Sequence, residues 1–153
     1  MASRKHQKAA EKRESGSYVP VTSYFLRSQT VCGLSAAACK LLLDFLSQYR
    51  GNNNGDLCAA WKLMKIRGWK SRDTLAKALR ELLAKEIIEK SQQGGRHKPT
   101  LYALTMYNVD ECNGKIEIAA TNRPKSTWKK NEPAGPLCII NSVTRPACQS
   151  TLD

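Results

Sequence analysis

A polar turn followed by a capped amphipathic helix constrains the fold of this chain more than any other stretch. The turn covers residues 68–70, and the Ser71 hydroxyl can accept a hydrogen bond from the free amides of a helix that starts behind it. Leu75, Leu79 and Leu82 then recur at i, i+4 and i+7, together with Ala78 and Leu83, which is the spacing of one buried helix face. The sequence therefore predicts a helix that a core holds on one side and that is exposed on the other.

Two further helices are predicted upstream of this turn. Ser35 can cap a run of strong helix formers, and the asparagine- and glycine-rich residues 50–56 end that helix. A very short strand at residues 57–58 and a helix over residues 59–67 follow. The apolar residues that these two helices offer to a core are Ala38, Leu41, Leu42, Phe45, Leu46, Tyr49, Leu63, Met64 and Ile66.

Downstream of the turn, the pattern changes from helical to strand-like. Residues 87–92 and 100–105 are two strand-length runs, and residues 93–99 between them begin with two glycines after Gln93. Because glycine reaches positive φ without strain, this arrangement predicts a β-hairpin with an exposed tip. The tip carries the basic or titratable residues Arg96, His97 and Lys98.

The charge of the chain is concentrated in this same region. The whole sequence has 25 Lys and Arg residues against 13 Asp and Glu residues, which gives a net charge of +12. Residues 62–98 alone carry eleven basic and four acidic side chains. Such an excess favours polyanionic partners, nucleic acid first and acidic membranes second, although a solvated surface can also be basic.

The order of predicted elements is helix, short strand, helix, turn, helix, strand, basic hairpin and strand, which is the order of a winged helix-turn-helix domain. Residues 71–88 resemble the recognition-helix signature of bacterial winged helix regulators, especially GntR-like repressors, and are also similar to small helix-turn-helix proteins of phages and mobile elements. The likeness is looser over residues 34–105. Where that family usually has a glycine to end the helix, this chain has Glu86. The positions that carry the resemblance are Ser71, Arg72, Thr74, Leu75, Lys77, Ala78, Leu79 and Leu82.

We therefore expect an α+β fold, namely a winged helix-turn-helix of three helices plus a two- to three-stranded β-hairpin wing, with disordered N- and C-terminal tails. The expected organisation is a basic disordered arm over residues 1–17, a winged helix DNA-binding domain over residues 18–105, and a mostly irregular tail over residues 106–153. Within the domain, an apolar strap (18–34), with a short helix capped by Thr22 or Ser23, precedes the core (35–105).

Two short runs in the tail stand out. Residues 115–118 alternate like a lone strand, and residues 137–140 are apolar enough to dock on a protein partner.

The resemblance implies DNA binding, with the helix after Ser71 in the major groove and the wing on the flanking backbone. Arg72 is the first candidate for reading a base, because a guanidinium can pair in two places with guanine, and Lys77 is the second. Asp73 can accept from a cytosine amino group or stabilise the helix N-terminus, and we favour the second. Phosphate contacts are expected from Lys70, Ser71, Thr74, Arg96 and Lys98. The full candidate site is Lys70, Ser71, Arg72, Asp73, Thr74, Lys77, Arg80, Arg96, His97 and Lys98.

The expected function is a sequence-specific transcriptional regulator of bacterial or mobile-element origin. The alternatives are a replication initiator or accessory factor of a plasmid or phage, and a winged-helix adaptor that binds a protein. The expected partners are double-stranded DNA, a second copy of the chain in a homodimer, and a protein that binds the C-terminal tail.

Trp69 is expected to be a plug between two helices, and Trp61 to be at least half-buried.

Several other classes are disfavoured by what the sequence lacks. No window approaches the ~18 consecutive apolar residues that cross a bilayer, so we expect a soluble, cytoplasmic protein without a membrane partner. The six cysteines include no Cys-x-x-Cys pair, so neither a metal nor a cofactor is expected. No phosphate-binding loop, paired-carboxylate motif or nucleophile elbow occurs, so we expect no enzymatic activity.

Overall fold

A computed structural model describes residues 16–132 of the chain. Most of the predicted N-terminal arm and the apolar run at residues 137–140 lie outside the described residues. Over the described part, the chain forms five α-helices and one three-stranded antiparallel sheet, so the α+β class is confirmed. The elements in chain order are α1 (Ser23–Leu26), α2 (Gln29–Cys32), α3 (Ala36–Gln48), β1 (Leu57–Cys58), α4 (Trp61–Ile66), α5 (Arg72–Ala84), β2 (Ile88–Gln92) and β3 (Leu101–Leu104), followed by 3-10 helices at Cys112–Gly114 and Thr127–Asn131.

The strap folds into two single-turn helices. The Thr22 hydroxyl accepts from the Phe25 N–H and caps α1, and the Ser28 hydroxyl does the same for the Val31 N–H in α2. Sequence reasoning predicted α1 and missed α2. Phe25 is buried in the core, which fixes the strap on the domain.

Helix α3 is the central element of the core. Its buried face holds Ala38, Leu41, Leu42, Phe45 and Leu46, as the apolar spacing predicted. It packs against α5, and the Glu81 carboxylate of α5 accepts hydrogen bonds from the N–H of Ser35 (2.8 Å) and from its hydroxyl (2.6 Å). The serine that caps α3 therefore also ties the two helices together.

The sheet has the strand order β1-β3-β2, with β3 in the centre. Leu57 of β1 pairs with Tyr102, and Ile88 of β2 pairs with Leu104. The register shifts between Lys90 and Gln92, where a bulge turns the Ser91 side chain into the interior. All four residues of β3 are buried, because β3 lies between β1 and β2 and Tyr102 packs against Phe45 of α3.

Two predictions about apolar residues are wrong. In α4 only Met64 is buried, whereas Leu63 is 36% and Ile66 is 85% exposed. At about 100° per residue, Ile66 lies on the opposite side of the helix from Met64, and Leu63 lies at the edge of the buried side. Residues 115–118 form no strand. Ile116 packs beside Gly55, and the Glu117 N–H donates to the Ser91 carbonyl. The alternation there reflects one-sided packing of an irregular segment.

Residues 106–132 were expected to begin a mostly irregular tail, and they pack across the core as a mostly irregular segment. Trp128 is only 2% exposed, and its ring lies edge-on to Phe25 with centroids 5.0 Å apart. The Glu132 carboxylate accepts from the N–H groups of Gln29 (3.0 Å) and Thr30 (2.8 Å) at the start of α2. The folded unit therefore extends at least to residue 132, although most of this stretch is irregular.

Candidate nucleic-acid interface

The turn between α4 and α5 sets the direction in which α5 leaves the core. Gly68 has φ +85°, its N–H donates to the Lys65 carbonyl, and the Trp69 N–H donates to the Met64 carbonyl. These two bonds form a Schellman motif, which ends α4 by a left-handed residue that suits glycine. Trp69 is buried, as predicted for a plug between the two helices.

The carboxylate of Asp44, on α3, accepts hydrogen bonds from both sides of this turn. It accepts from the Trp69 indole N–H (2.6 Å), from Arg67 Nε (2.7 Å) and from Lys40 Nζ (3.0 Å). Burial by itself would raise the pKa of Asp44, but the hydrogen bonds from Trp69, Arg67 and Lys40 outweigh it and lower the pKa below its ordinary value. A buried carboxylate on α3 thus clamps both sides of the turn.

Sequence reasoning missed this carboxylate. Little signal was present, since Asp44 lies at the edge of the apolar face of α3, one turn from the polar residues Lys40 and Gln48. A charged residue at such a position is buried only when it has partners.

Helix α5 begins as predicted. The Ser71 hydroxyl accepts from the Thr74 N–H at 3.3 Å, and Leu75, Ala78 and Leu82 are buried. The predicted site residues of this region all project away from the core. Those exposed side chains are Lys70, Ser71, Arg72, Asp73, Thr74, Lys77 and Arg80.

The charged side chains on this exposed face of α5 differ in the contacts that they make with the rest of the protein. Lys77 Nζ lies 2.8 Å from the Asp73 carboxylate, and this hydrogen bond and the lysine charge lower the pKa of Asp73. Arg80 Nε donates to the Ala76 carbonyl at 3.3 Å. The Arg72 guanidinium instead lies over the Trp61 ring, with Cζ 5.4 Å from the ring centroid. The Asp73 carboxylate is therefore paired with Lys77, and the charge of Arg72 has no acidic partner among residues 16–132.

The β2–β3 connection provides the second group of predicted site residues. The Gly95 N–H donates to the Lys98 carbonyl at 2.9 Å, and the Gly94 N–H donates to the Thr100 hydroxyl at 3.2 Å. A side chain at Gly94 would come within 2.5 Å of Thr100, so the close approach of the two strands requires glycine here. Arg96, His97 and Lys98 are all exposed.

The two groups are linked through the start of α4. No hydrogen bond or ion pair joins the α5 side chains to Arg96, His97 or Lys98 among residues 16–132. Ala59 and Ala60, however, share a surface depression with Pro99 and Thr100, and Trp61 follows them directly and contacts Arg72. The end of the β2–β3 connection and the start of α5 therefore both lie beside residues 59–61.

Acidic side chains pair with cations mostly elsewhere on the molecule. Asp56, Glu86 and Glu89 form ion pairs away from the start of α5, whereas Asp44 pairs with Arg67 at the turn before α5 and Asp73 pairs with Lys77 on α5 itself. Between residues 62 and 98, the basic side chains without an ion-pair partner in the described part of the chain are Lys62, Lys65, Lys70, Arg72, Arg80, Lys85, Lys90, Arg96 and Lys98, of which Lys85 donates to the Gly33 carbonyl. This face can attract a polyanion at several points at once.

Between residues 16 and 132, no three His, Cys, Asp or Glu side chains come together in a group that could hold a metal ion. Within that same stretch, every helix is too short or too polar to span a bilayer.

Comparison with known proteins finds no family model, no curated protein and no solved structure that matches this chain.

Proposed function

We propose that this protein is a winged helix DNA-binding protein, in which α5 enters the major groove and the β2–β3 connection is the wing. The observation that carries the proposal is the exposed, basic first half of α5, which follows a clamped turn and stands near a basic hairpin. The order α3-β1-α4-α5-β2-β3 and the sheet order β1-β3-β2 support the fold assignment. A helix with one exposed face fits the ~12 Å width of the major groove.

The proposed DNA-binding side chains divide into those that contact base edges and those that contact phosphates. Arg72 and Lys77 lie in the N-terminal half of α5, the part of a recognition helix that contacts base edges. Lys70, Ser71 and Thr74 at the turn would bind phosphates, as would Arg96 and Lys98 on the wing. Arg80 would follow the backbone further along the groove, and His97 would add a polar contact at the wing tip.

Sequence-specific transcriptional regulation in a bacterium or mobile element is the proposed role. It rests on the resemblance of residues 71–88 to GntR-like recognition helices. A homodimer on a two-fold symmetric site is the expected mode of binding. Mapping of bound genomic sites distinguishes this role from replication, because promoters indicate regulation and origins indicate initiation.

The proposal is tested by fluorescence anisotropy with random and selected duplexes over a salt series. Binding through several phosphates should lose affinity steeply between low and physiological salt. Arg72→Ala should cost about 1 to 3 kcal/mol on the selected site and relax base choice there. Lys98→Ala should weaken all duplexes alike.

Arg123→Ala is the matched control, since it removes an exposed basic side chain that lies outside α4, α5 and the β2–β3 connection. Undiminished site-specific binding after loss of both Arg72 and Lys77 would refute the role of α5. Failure of the wild-type protein to bind any duplex at low salt would refute DNA binding and favour a protein-binding adaptor.

A further inference from the structure

The contact between Arg72 and Trp61 carries an inference about specificity that rests on the proposed function. We propose that Trp61 is a positioning residue that holds the Arg72 guanidinium ready to pair with a guanine in the major groove. The Arg72 Cζ atom lies 5.4 Å from the Trp61 ring centroid, within the range of an attractive cation–π contact. Trp61 is the first residue of α4 and Arg72 is the first residue of α5, so the contact joins the starts of two helices.

A guanidinium over an aromatic face keeps its hydrogen-bonding capacity. The attraction acts through the face of the ring and uses none of the five N–H donors at the guanidinium edge. Among residues 16–132, Arg72 makes no hydrogen bond or ion pair through its side chain. The two parallel N–H groups that match guanine O6 and N7 therefore stay available.

The other basic side chains of α5 are held differently. Lys77 is paired with Asp73 at 2.8 Å, and Arg80 donates to the Ala76 carbonyl. DNA would have to compete with the Asp73 carboxylate before Lys77 contacts a base, and the Arg80 guanidinium has its Nε–H bonded to its own helix. Arg72 needs no such exchange, because an aromatic contact restricts it and leaves its donors free. Preordering of this kind favours a single geometry and so favours discrimination between bases.

The Trp61 ring is itself anchored. It is partly buried and packs against the hydrophobic core, while the preceding Ala59 and Ala60 lie beside Pro99 and Thr100 at the root of the β2–β3 connection. The ring is therefore a fixed platform, and its position depends on the same core that holds α5. Removing the ring while filling the space with a flexible apolar side chain should release Arg72 without opening the core.

The test uses a duplex selected from a random pool and the same duplex with 7-deazaguanine, which lacks the N7 acceptor, at its preferred guanine. Wild-type protein should bind the 7-deaza duplex about tenfold more weakly than the unmodified duplex. Trp61→Met should abolish most of that ratio by weakening only the unmodified duplex, whereas Trp61→Phe, which keeps an aromatic face, should retain it. In an Arg72→Ala background, Trp61→Met should have no further effect on binding.

Equal weakening of both duplexes by Trp61→Met, or the same loss in the Arg72→Ala background, would mean a structural role only and would overturn the inference. Selected duplexes without a shared guanine would overturn it as well. In each of these cases DNA binding by the wild type still stands, whereas a wild type that binds no duplex at low salt refutes both proposals.

A second measurement covers the case in which Trp61→Met does not fold. In the wild-type protein, the Arg72 side-chain Nε–H resonance should be displaced by the ring current of Trp61, while that of exposed Arg96 should not. Titration with the unmodified duplex should move the Arg72 resonance, and the 7-deaza duplex should move it less. An Arg72 resonance at the same position as that of Arg96 in the free protein would overturn the inference.

Discussion

At the scale of single residues, Glu86 is the clearest case of a sequence rule overridden by its surroundings. It takes φ +53° without being glycine, and the Ile87 N–H donates to the Leu82 carbonyl as in the Schellman motif that ends α4. Its own carbonyl accepts hydroxyl bonds from Thr105 (2.8 Å) and Thr127 (3.1 Å). Contacts with distant residues therefore hold Glu86 in a left-handed conformation.

Glycine at this position should relieve the backbone strain. We expect Glu86→Gly to raise the free energy of unfolding by up to about 1 kcal/mol, the difference between left-handed strain and the greater chain entropy of glycine. Glu86→Val should lower it by about 1 to 2 kcal/mol, because a β-branched side chain tolerates positive φ poorly. Urea unfolding monitored by circular dichroism measures both.

Glu86→Ala serves as the control, since it removes the side-chain contact with Lys130 (3.7 Å) and leaves the positive φ in place. If the glycine variant unfolds at lower urea than the alanine variant, the left-handed conformation of residue 86 is wrong.

At the scale of elements, the turn before α5 depends on Asp44. The apolar face of a helix determines which side packs on the core, but the direction of its axis depends on how the preceding turn is held. Trp69 and Arg67 both donate to Asp44, so α3 controls where α5 starts. Stability and placement of the candidate interface are therefore linked through one carboxylate.

Replacement of this carboxylate tests the clamp. We expect Asp44→Asn to lower the free energy of unfolding at neutral pH by about 2 kcal/mol, because an amide accepts more weakly and brings its own donors towards Trp69 and Arg67. Asp56→Asn is the control: that carboxylate pairs with exposed Lys115, so its loss should cost less than about 1 kcal/mol. Equal losses in the two variants would contradict the clamp.

The lowered pKa of Asp44 also predicts a pH dependence. Since the carboxylate has a lower pKa in the folded protein than its ordinary value, its contribution is complete above that ordinary value and is lost as pH falls through the folded value. Wild-type protein should therefore lose more stability between neutral and acidic pH than Asp44→Asn, as followed by urea midpoints across pH.

The charge on α5 gives a prediction about binding. Asp73→Asn frees Lys77 from its ion pair, so we expect tighter binding to every duplex and a salt dependence steeper by about one phosphate contact. Glu111→Gln removes the same charge from an exposed position elsewhere and should change affinity much less. Anisotropy at several salt concentrations measures both slopes, and equal effects would show that only net charge matters.

At the scale of the whole molecule, residues 106–132 belong to the folded domain. The Ser126 N–H donates to the Thr105 carbonyl at 2.7 Å, which places the segment beside the end of β3. Trp128 then packs on Phe25 of the strap, and Glu132 caps α2. The strap and this segment therefore cover the core together, although they are about a hundred residues apart in sequence.

Removal of the Trp128 side chain tests this arrangement. We expect Trp128→Ala to lower the free energy of unfolding by about 3 to 5 kcal/mol, because the substitution leaves a large cavity in the core. Arg123→Ala, an exposed residue of the same segment, should change it by no more than about 0.5 kcal/mol. Urea unfolding at matched protein concentration compares the two, and similar values would show that the segment is not part of the core.

Local patterns account for most of what the sequence predicted correctly. Ser35, Ser71 and Thr22 cap their helices as expected, and the strands at residues 88–92 and 101–104 match the predicted runs within one residue. These features depend on residues only a few positions apart, whose preferences act within a single turn. The candidate site residues were chosen for charge and helical phase, and their exposure followed from the same apolar spacing.

By itself, the sequence determined the caps, the main buried faces of α3 and α5, the hairpin and the concentration of positive charge, because each follows from short-range geometry or from composition. Only the tertiary structure decided that Asp44 clamps Trp69, that Arg72 rests on Trp61, that Glu86 is left-handed, and that Trp128 completes the core. Each of these costs free energy in isolation, through a buried charge, a restricted side chain, a strained backbone or an ordered loop. The cost is offset only when folding brings distant partners into contact.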